Sequence, residues 1–406
     1  MAKALVVLLA LSATVVAVAV AAPVRSKPAL ATSCGRISDF SPSWSPNGRA
    51  IAFTRISFSG AVSGVFRIGV DGRRQRRISA AGDYAYDGAW STDGTRIAYA
   101  TFDLAAVVRV VVARADGTAA HVVATFQDER EPPPTFLSWS RDSRWIAYVD
   151  STGDLLAAPS AGDGPLRLIA HGATQPAWSP DGRHIAYVGL DGITVSDTDG
   201  GNSRTIALGA YPVWSRDSRR IAYMSVSGVG VHVIRADGSG DRVVDRSGSF
   251  PQWTPDGRAL VDVTPSGRSH GAVRVVSISS ARVRTVSHDA ARRLGSDNFA
   301  AVIAPNGKTI AFYSTPGIGG SEIRVVRPDG RAERRLTYHC ALLDEGAGGR
   351  VYGTWLPDIV LARNNLRDTI TCGRGRDVVY ADNRDRVARD CEDVRRPRRA
   401  KAVAAR

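Results

Sequence analysis

Short apolar segments alternate with polar turns along most of the chain, and one arrangement of this kind recurs. It joins an aromatic residue to a polar turn and then to an apolar triplet, as in the segment WSPDGRHIAY at Trp178–Tyr187. Related segments begin at Trp44, Trp90, Trp139, Trp178, Trp214, Trp253 and Ile303. Successive starts lie 36 to 50 residues apart, which fits a repeat of about four short strands. The pattern predicts an all-β repeat protein.

The residue types of the repeat explain its local structure. Pro fixes φ at the first corner of a tight turn, Asp or Asn bonds to nearby backbone amides, and Gly adopts the positive φ that other residues resist. The triplet Ile185-Ala186-Tyr187 alternates large and small apolar side chains, which suits the packing of one sheet on the next. A second turn is expected to close a hairpin between the third and fourth strands. It contains an Asp-Gly pair that begins at Asp71, Asp116, Asp163, Asp199, Asp237 and Asp329, and the sixth unit lacks the pair.

A single sheet of this kind cannot bury both of its faces, whereas seven sheets stacked around an axis share a core. We therefore predict a seven-bladed β-propeller over residues 36–340, with the Trp side chains between blades. Six and eight blades are the alternatives, because the spacing from Trp253 to Ile303 is long. The segment Arg36–Ser38 is similar to the ends of later units, which predicts that it completes the last blade.

The repeats resemble the WSPDG-type propeller repeats of TolB and its WD40-like relatives over about residues 36–340. The resemblance implies interaction rather than catalysis. On that basis we expect an exported, non-catalytic binding scaffold that presents its rim and channel to a protein or a cell-envelope polymer. The alternative is a propeller lyase or hydrolase with acidic residues in its channel.

The N-terminal residues have the pattern of an export signal. Lys3 is followed by an apolar run from Ala4 to Ala22, and Ala19-Val20-Ala21 is a small-residue cleavage site. We predict a signal peptide over residues 1–21, a linker over residues 22–35, and no transmembrane segment in the mature protein. An uncleaved membrane anchor is the alternative. The expected location is secreted or in the cell envelope.

Four cysteines lie outside the repeats, and an even number in an exported protein indicates disulfides. Three pairings are possible. Ring closure would bring Cys34 and Cys340 together, so we favour this pair and the pair Cys372 with Cys391. Free buried thiols are the alternative.

After residue 340 the period shortens. Asp358, Asp368, Asp377 and Asp385 lie 10, 9 and 8 residues apart, and short β-branched segments follow them. This segment, residues 341–394, resembles the RTX-type nonapeptide repeat, which winds a parallel β-roll and binds calcium. The candidate calcium ligands implied by the resemblance are Asp358, Asp368, Gly373, Gly375, Asp377 and Asp385. Neighbouring arginines oppose a cation, so we favour a degenerate β-roll-like module held by Cys372 and Cys391, with calcium as the only candidate cofactor.

Charge narrows the choice of partners. The formal net charge is +14, and the basic residues are almost all Arg. Basic residues grouped with exposed aromatics are missing from the pattern, which argues against nucleic acid. An anionic envelope polymer fits the charge better. Residues 395–406 are basic and are expected to be disordered, and the chain is expected to be a monomer.

Overall fold

The structure is a computed structural model. It describes residues 37–57, 63–81, 83–103, 105–128, 136–226, 230–264, 271–287, 297–315 and 321–337. Near the C-terminus it describes residues 350–352, 359–362, 369–371, 378–381, 385–389, 391 and 393–395. Every regular element in these ranges is a strand, and the ranges contain no helix that is long and apolar enough to cross a bilayer.

Seven four-stranded antiparallel sheets follow one another along the chain, and each is a meander in chain order. Blades one to four are β1 (Ile37–Trp44), β2 (Ala50–Ser57), β3 (Gly64–Gly69), β4 (Arg76–Arg77); β5 (Tyr84–Trp90), β6 (Arg96–Phe102), β7 (Val107–Arg114), β8 (His121–Gln127); β9 (Ser138–Trp139), β10 (Trp145–Val149), β11 (Leu155–Pro159), β12 (Arg167–Ala170); β13 (Thr174–Trp178), β14 (His184–Gly189), β15 (Gly192–Asp197), β16 (Arg204–Ala207). Blades five to seven are β17 (Gly209–Trp214), β18 (Arg220–Ser225), β19 (Val231–Arg235), β20 (Arg242–Asp245); β21 (Ser249–Trp253), β22 (Ala259–Val263), β23 (Val273–Ser277), β24 (Val283–Thr285); β25 (Asp297–Ile303), β26 (Ile310–Thr315), β27 (Glu322–Val326), β28 (Arg334–Arg335).

The predicted turns are confirmed. Each repeat aromatic ends a first strand, and each Asp-Gly pair lies between a third and a fourth strand. In blade four the Ser179 hydroxyl donates to the Asp181 carboxylate at 2.6 Å, and the Arg183 amide donates to the same oxygen at 3.0 Å. Gly182 has a φ of 77°, a conformation that favours glycine. The side-chain cap and the glycine together fix the tight turn.

The sheets pack into a closed ring of seven blades, as predicted. The first strand of every blade contacts the first strands of both neighbours, including β1 with β25, so the first strands line the axis. The large residue of each apolar triplet is completely buried, at Ile51, Ile97, Ile146, Ile185, Ile221, Leu260 and Ile310. Burial of one such side chain contributes about 1.5–3 kcal/mol.

Tryptophan side chains join consecutive blades. The indole N–H of Trp214 donates to the Ala177 carbonyl of the preceding blade at 2.9 Å. Equivalent bonds join Trp44 to Val302, Trp139 to Ala89 and Trp253 to Val213, each at 3.0 Å. The bond from Trp44 links the first blade to the last and helps to close the ring.

One prediction about closure is wrong. Ile37 and Ser38 pair with Ser57 and Ile56 of β2, and therefore belong to the first blade. The seventh blade takes all four of its strands from the segment that begins at Asp297 and ends at Arg335. The fourth strand of the last blade, β28, pairs with β27, so the first and last blades exchange no strand. The ring closes by packing of these two blades, and the Asp39 amide donates to the Ser321 carbonyl at 2.7 Å.

The C-terminal residues form a small separate pattern of short parallel strands. They alternate between two three-stranded sheets, which is the connectivity of a β-roll. The strands are β29 (Arg350–Tyr352), β30 (Ile359–Ala362), β31 (Thr369–Thr371), β32 (Val378–Ala381), β33 (Arg386–Val387) and β34 (Asp393–Arg395). Ile370, Val379, Ala381 and Cys391 are buried between them. The RTX-type character of this module stays a prediction.

Candidate binding site in the axial channel

A left-handed residue recurs in every blade, three positions before the residue that ends the first strand. The seven residues have φ between 42° and 55°, and none is glycine: Ser41, Asp87, Phe136, Gln175, Tyr211, Phe250 and Ala300. In six blades the pairing of the first and second strands shifts by one residue at this point, which is a β-bulge. A left-handed conformation costs a non-glycine residue about 1–2 kcal/mol. The ring therefore holds seven strained residues on the strands that line its axis.

The bulged residues of blades three to six line a pocket with a volume of about 210 Å³. Its lining residues are Phe136, Leu137, Gln175, Pro176, Tyr211, Pro212, Val213, Phe250, Pro251 and Gln252. All of them lie on, or just before, the first strands of four adjacent blades. The pocket is therefore part of the axial channel.

This part of the wall is apolar and well packed. The rings of Tyr211 and Phe250 meet edge to face with 4.8 Å between their centroids. The Gln175 side-chain carbonyl accepts the backbone N–H of Tyr211 at 2.5 Å, which fixes the two bulges relative to each other. Burial raises the pKa of Tyr211. The wall offers aromatic faces, proline rings and two side-chain amides, a combination typical of small binding pockets.

The rest of the wall, from blades seven, one and two, is different. Its bulged residues are Ala300, Ser41 and Asp87. The Asp87 backbone N–H donates to the Thr54 hydroxyl at 3.2 Å. Burial, with no cation to offset it, raises the pKa of the Asp87 carboxyl to about 6. Asp87 is the single carboxyl among the seven bulge positions.

A buried charge cluster lies directly behind the pocket wall in blade six. The second-strand residue opposite the bulge is aromatic in five other blades, at Phe53, Tyr99, Tyr187, Tyr223 and Phe312. Tyr148 is the corresponding residue of the apolar triplet in blade three. Blade six has Asp262 in this position, opposite Phe250 and Pro251, and Asp262 is completely buried.

The cluster contains two carboxyls for one guanidinium. The Arg274 Nε donates to Asp262 at 3.0 Å, and Arg274 also forms an ion pair with buried Asp245. Burial, together with neighbouring Asp245, raises the pKa of Asp262 to about 8 despite Arg274. One carboxyl therefore keeps its proton at neutral pH, which leaves the cluster without net charge.

The turns after the first strands form a basic surface at one end of the ring. A basic residue follows the turn in six blades and is exposed in each, at Arg49, Arg144, Arg183, Arg219, Arg258 and Lys308. Within the described part of the chain none of them forms an ion pair. The Ser215 hydroxyl and the Arg219 amide lower the pKa of Asp217, and this carboxylate is held within its own turn.

The predicted metal ligands are mostly untested. Asp358, Asp368, Gly373, Gly375 and Asp377 lie outside the described residues, and Asp385 is buried with 6% of its surface exposed. No group of three or more His, Cys, Asp and Glu side chains suited to a metal ion occurs in the described ranges. The calcium site stays a prediction.

The predicted disulfides have the same status. Cys34, Cys340 and Cys372 lie outside the described residues. Cys391 is buried and disulfide-bonded. The choice between the three pairings stays a prediction.

The sequence did not reveal the channel wall, although it carries a partial signal. Pro precedes the repeat Trp by two positions in four blades, at Pro42, Pro176, Pro212 and Pro251. The residue before each of these prolines is the bulged one. The motif x-Pro-x-Trp could therefore have identified the wall in blades one, four, five and six.

Comparison with known proteins agrees with this fold. No family model matches the chain. Among curated proteins, the Tol-Pal system protein TolB 1 of Novosphingobium aromaticivorans is 44% identical over 52 residues, which are 13% of this chain and 11% of that protein. The matched region is thus a small part of the relative's length.

Two solved structures cover most of the ring. The β-propeller domain of the Trilobed protease from Pyrococcus furiosus, described as having an open velcro topology, has a TM-score of 0.56 and 12% identity, over 75% of this chain and 96% of that one. Oligogalacturonate lyase from Vibrio parahaemolyticus has a TM-score of 0.55 and 13% identity, over 72% of this chain and 91% of that one. At these identities the likeness establishes the fold alone.

The protein is thus an all-β, seven-bladed propeller with an axial channel. In sequence it is similar to TolB over the 52 matched residues.

Proposed function

We propose that the protein is a non-catalytic binding scaffold that works outside the cytoplasm and takes an apolar segment of a protein partner into its axial channel. The observation that carries the proposal is the pocket in blades three to six, with the aromatic pair Tyr211 and Phe250 in its wall. Aromatic side chains in concave sites contribute much of the energy of protein interfaces.

Exposed apolar side chains next to the same blades support a protein partner. Leu190 is 85% exposed, Leu208 63% and Val226 65%. They lie on connections of blades four and five, at the end of the ring opposite the basic turns. Contiguous exposed apolar surface on a folded domain marks a contact site.

The export part of the proposal rests on the sequence. The apolar run from Ala4 to Ala22 has the form of a signal peptide, and the matched relative is named as a Tol-Pal system protein. The same fold also serves a lyase and a domain of a protease, so the fold alone does not decide between binding and catalysis. The seven bulge positions contain one carboxyl and no His, and this composition favours binding.

Site-specific photo-crosslinking tests the proposal. A benzoylphenylalanine at Tyr211 should crosslink one envelope protein, and the segment captured should be apolar. The same group at Val283, which is 42% exposed on the outer strand β24, is the matched control and should not capture that protein. Equal capture from both positions, or capture from Val283 alone, would refute a role for the channel.

A second candidate partner is an anionic envelope polymer on the basic turn surface. It is favoured by the six exposed basic residues that follow the turns. Arg183→Gln with Arg219→Gln should weaken binding of the protein to immobilised polygalacturonate by several-fold at low salt, and salt should weaken binding of the wild type. Binding that is unchanged by both would remove this candidate.

A further inference from the structure

Asp87, which is partly buried, differs from the carboxyls that the fold buries most deeply. Asp39 is paired with Arg55 at 2.7 Å, Asp262 with Arg274 at 3.0 Å, and Glu322 with Arg324 at 2.8 Å. The Asp87 carboxyl accepts no hydrogen bond and joins no ion pair within the described residues, and it lies on a channel-lining strand. Partly buried carboxylates are normally paired, because desolvation penalises the charged form.

No cation of the surrounding strands compensates Asp87. The strands packed against β5 are β1, β2, β3, β6 and β9. Their charged side chains have other partners: Arg55 binds Asp39, Arg67 donates to the Ala115 carbonyl, and Arg96 donates to the Ser143 carbonyl. The carboxyl of Asp87 is thus left for something that enters the channel.

The neighbouring wall supplies an apolar surface beside this charge. Blade two adjoins blade three, where Phe136 occupies the equivalent bulge and begins the apolar pocket. A cation placed between a carboxylate and aromatic faces gains from both contacts. Acidic loops also lie at the end of the ring away from the basic turns, at Asp150 and Asp191, and these attract positive charge.

We infer that the axial channel selects a ligand in which a cationic group, such as a lysine side chain of a protein partner, stands next to an apolar side chain. Asp87 holds the cation, and the aromatic wall of blades three to six holds the apolar part. This inference rests on the proposed function, and it adds the chemistry of the partner segment. Protonation of Asp87 in mildly acidic solution would release the cation and leave the apolar contact.

Matched dipeptides test the inference. The probes are acetyl-Phe-Lys-amide and acetyl-Phe-norleucine-amide, which differ by the ammonium group, and binding is measured by titration calorimetry at pH 7.5 and pH 5. The wild type should prefer the lysine probe by about tenfold at pH 7.5, the size expected of one hydrogen bond to a charged group. The preference should fall at pH 5.

Asp87→Asn is the decisive variant, because Asn has the same shape and tolerates the left-handed backbone. It should abolish the preference and leave binding of the norleucine probe unchanged. Asp163→Asn, on an exposed hairpin of blade three, is the matched control and should keep the preference. A thermal melt of each variant checks folding.

The inference is overturned if the wild type binds both probes equally, if neither probe binds, or if Asp87→Asn keeps the preference. These results do not decide the proposed function, because crosslinking at Tyr211 reports on occupation of the channel whatever the charge of the partner. Conversely, crosslinking that fails at Tyr211 would refute the proposed function even if a small cationic probe binds.

Discussion

The tryptophans of the repeat differ in whether the indole N–H donates a hydrogen bond. Trp44, Trp139, Trp214 and Trp253 donate their indole N–H to the preceding blade. Trp178 occupies the same place in blade four, and its buried indole N–H has no hydrogen-bond partner among the described residues. The same residue at equivalent positions of the repeat therefore differs in what it contributes to stability.

Trp214→Phe should destabilise the protein more than Trp178→Phe does. Both substitutions remove a similar volume, but the first also breaks the hydrogen bond from the indole N–H to the Ala177 carbonyl. The expected difference in the free energy of unfolding is about 1 kcal/mol. Urea denaturation of both variants measures it, and equal losses would contradict the assigned bond.

Asp262 predicts a dependence of stability on pH. Its pKa is raised to about 8 in the folded protein, far above the ordinary value of about 4, so folding favours the protonated form. The stabilisation of the folded state that comes from the protonated Asp262 carboxyl is complete below about pH 4 and is lost as the pH rises through about 8. The melting temperature should therefore fall between pH 5 and pH 8.5.

Asp262→Asn is neutral at every pH and should flatten that dependence. The variant changes only the titrating carboxyl, because the ion pair between Arg274 and Asp245 is kept. If the melting temperatures of the wild type and the variant change with pH in the same way across this range, the Asp262 carboxyl is ionised in the folded protein and the prediction is wrong.

The first strand is the element that gives the ring its channel, and its conformation is not written in its residue types. Ser41, Tyr211 and Phe250 adopt left-handed angles that glycine or asparagine would adopt more readily. Their conformation comes from the packing of seven strands around one axis. The strand-turn-strand unit and the Asp-Gly hairpins could be predicted because Pro, Asp and Gly fix them locally.

Two alanines of β25 test the strain in this strand. Ala300 has a φ of 42°, whereas the next residue, Ala301, is completely buried in the core between blades six and seven. Ala300→Gly relieves about 1 kcal/mol of backbone strain, which offsets the entropy cost of glycine, so stability should be unchanged or slightly higher.

Ala301→Gly is the matched control. It removes a buried methyl group and adds flexibility, which should cost about 1–2 kcal/mol. Chemical denaturation of the two variants measures the difference. A larger loss for Ala300→Gly than for Ala301→Gly would contradict the bulge.

The ring closes without exchange of strands between the first and last blades. The segment at Ile37 and Ser38 led to the wrong prediction from the sequence. Its likeness to the ends of later units suggested a shared blade, yet it pairs with β2. Sequence repeats identify the units and their number, but the location of the seam depends on contacts between distant residues such as Trp44 and Val302.

Asp262 was visible as a departure from the apolar triplet, whereas its partners Asp245 and Arg274 could be identified only in the fold.

The ring has two different surfaces, one at its turn end and one along its axis. The turn end carries exposed arginines. The axis carries an apolar pocket and, on the neighbouring wall, Asp87, whose carboxyl forms no ion pair within the described residues. A partner segment that enters the axis must therefore lose affinity when the aromatic wall is removed, and should be insensitive to changes on the outer hairpins.

The most direct measurement is the affinity of the segment crosslinked at Tyr211, made as a peptide, for three forms of the protein. Tyr211→Ala with Phe250→Ala should weaken binding by tenfold or more, in line with about 1.5 kcal/mol or more from the aromatic contacts. Leu166→Ala, at an exposed position of blade three, should leave the affinity within about twofold of the wild type. Equal affinity of the wild type and the channel variant would contradict the account.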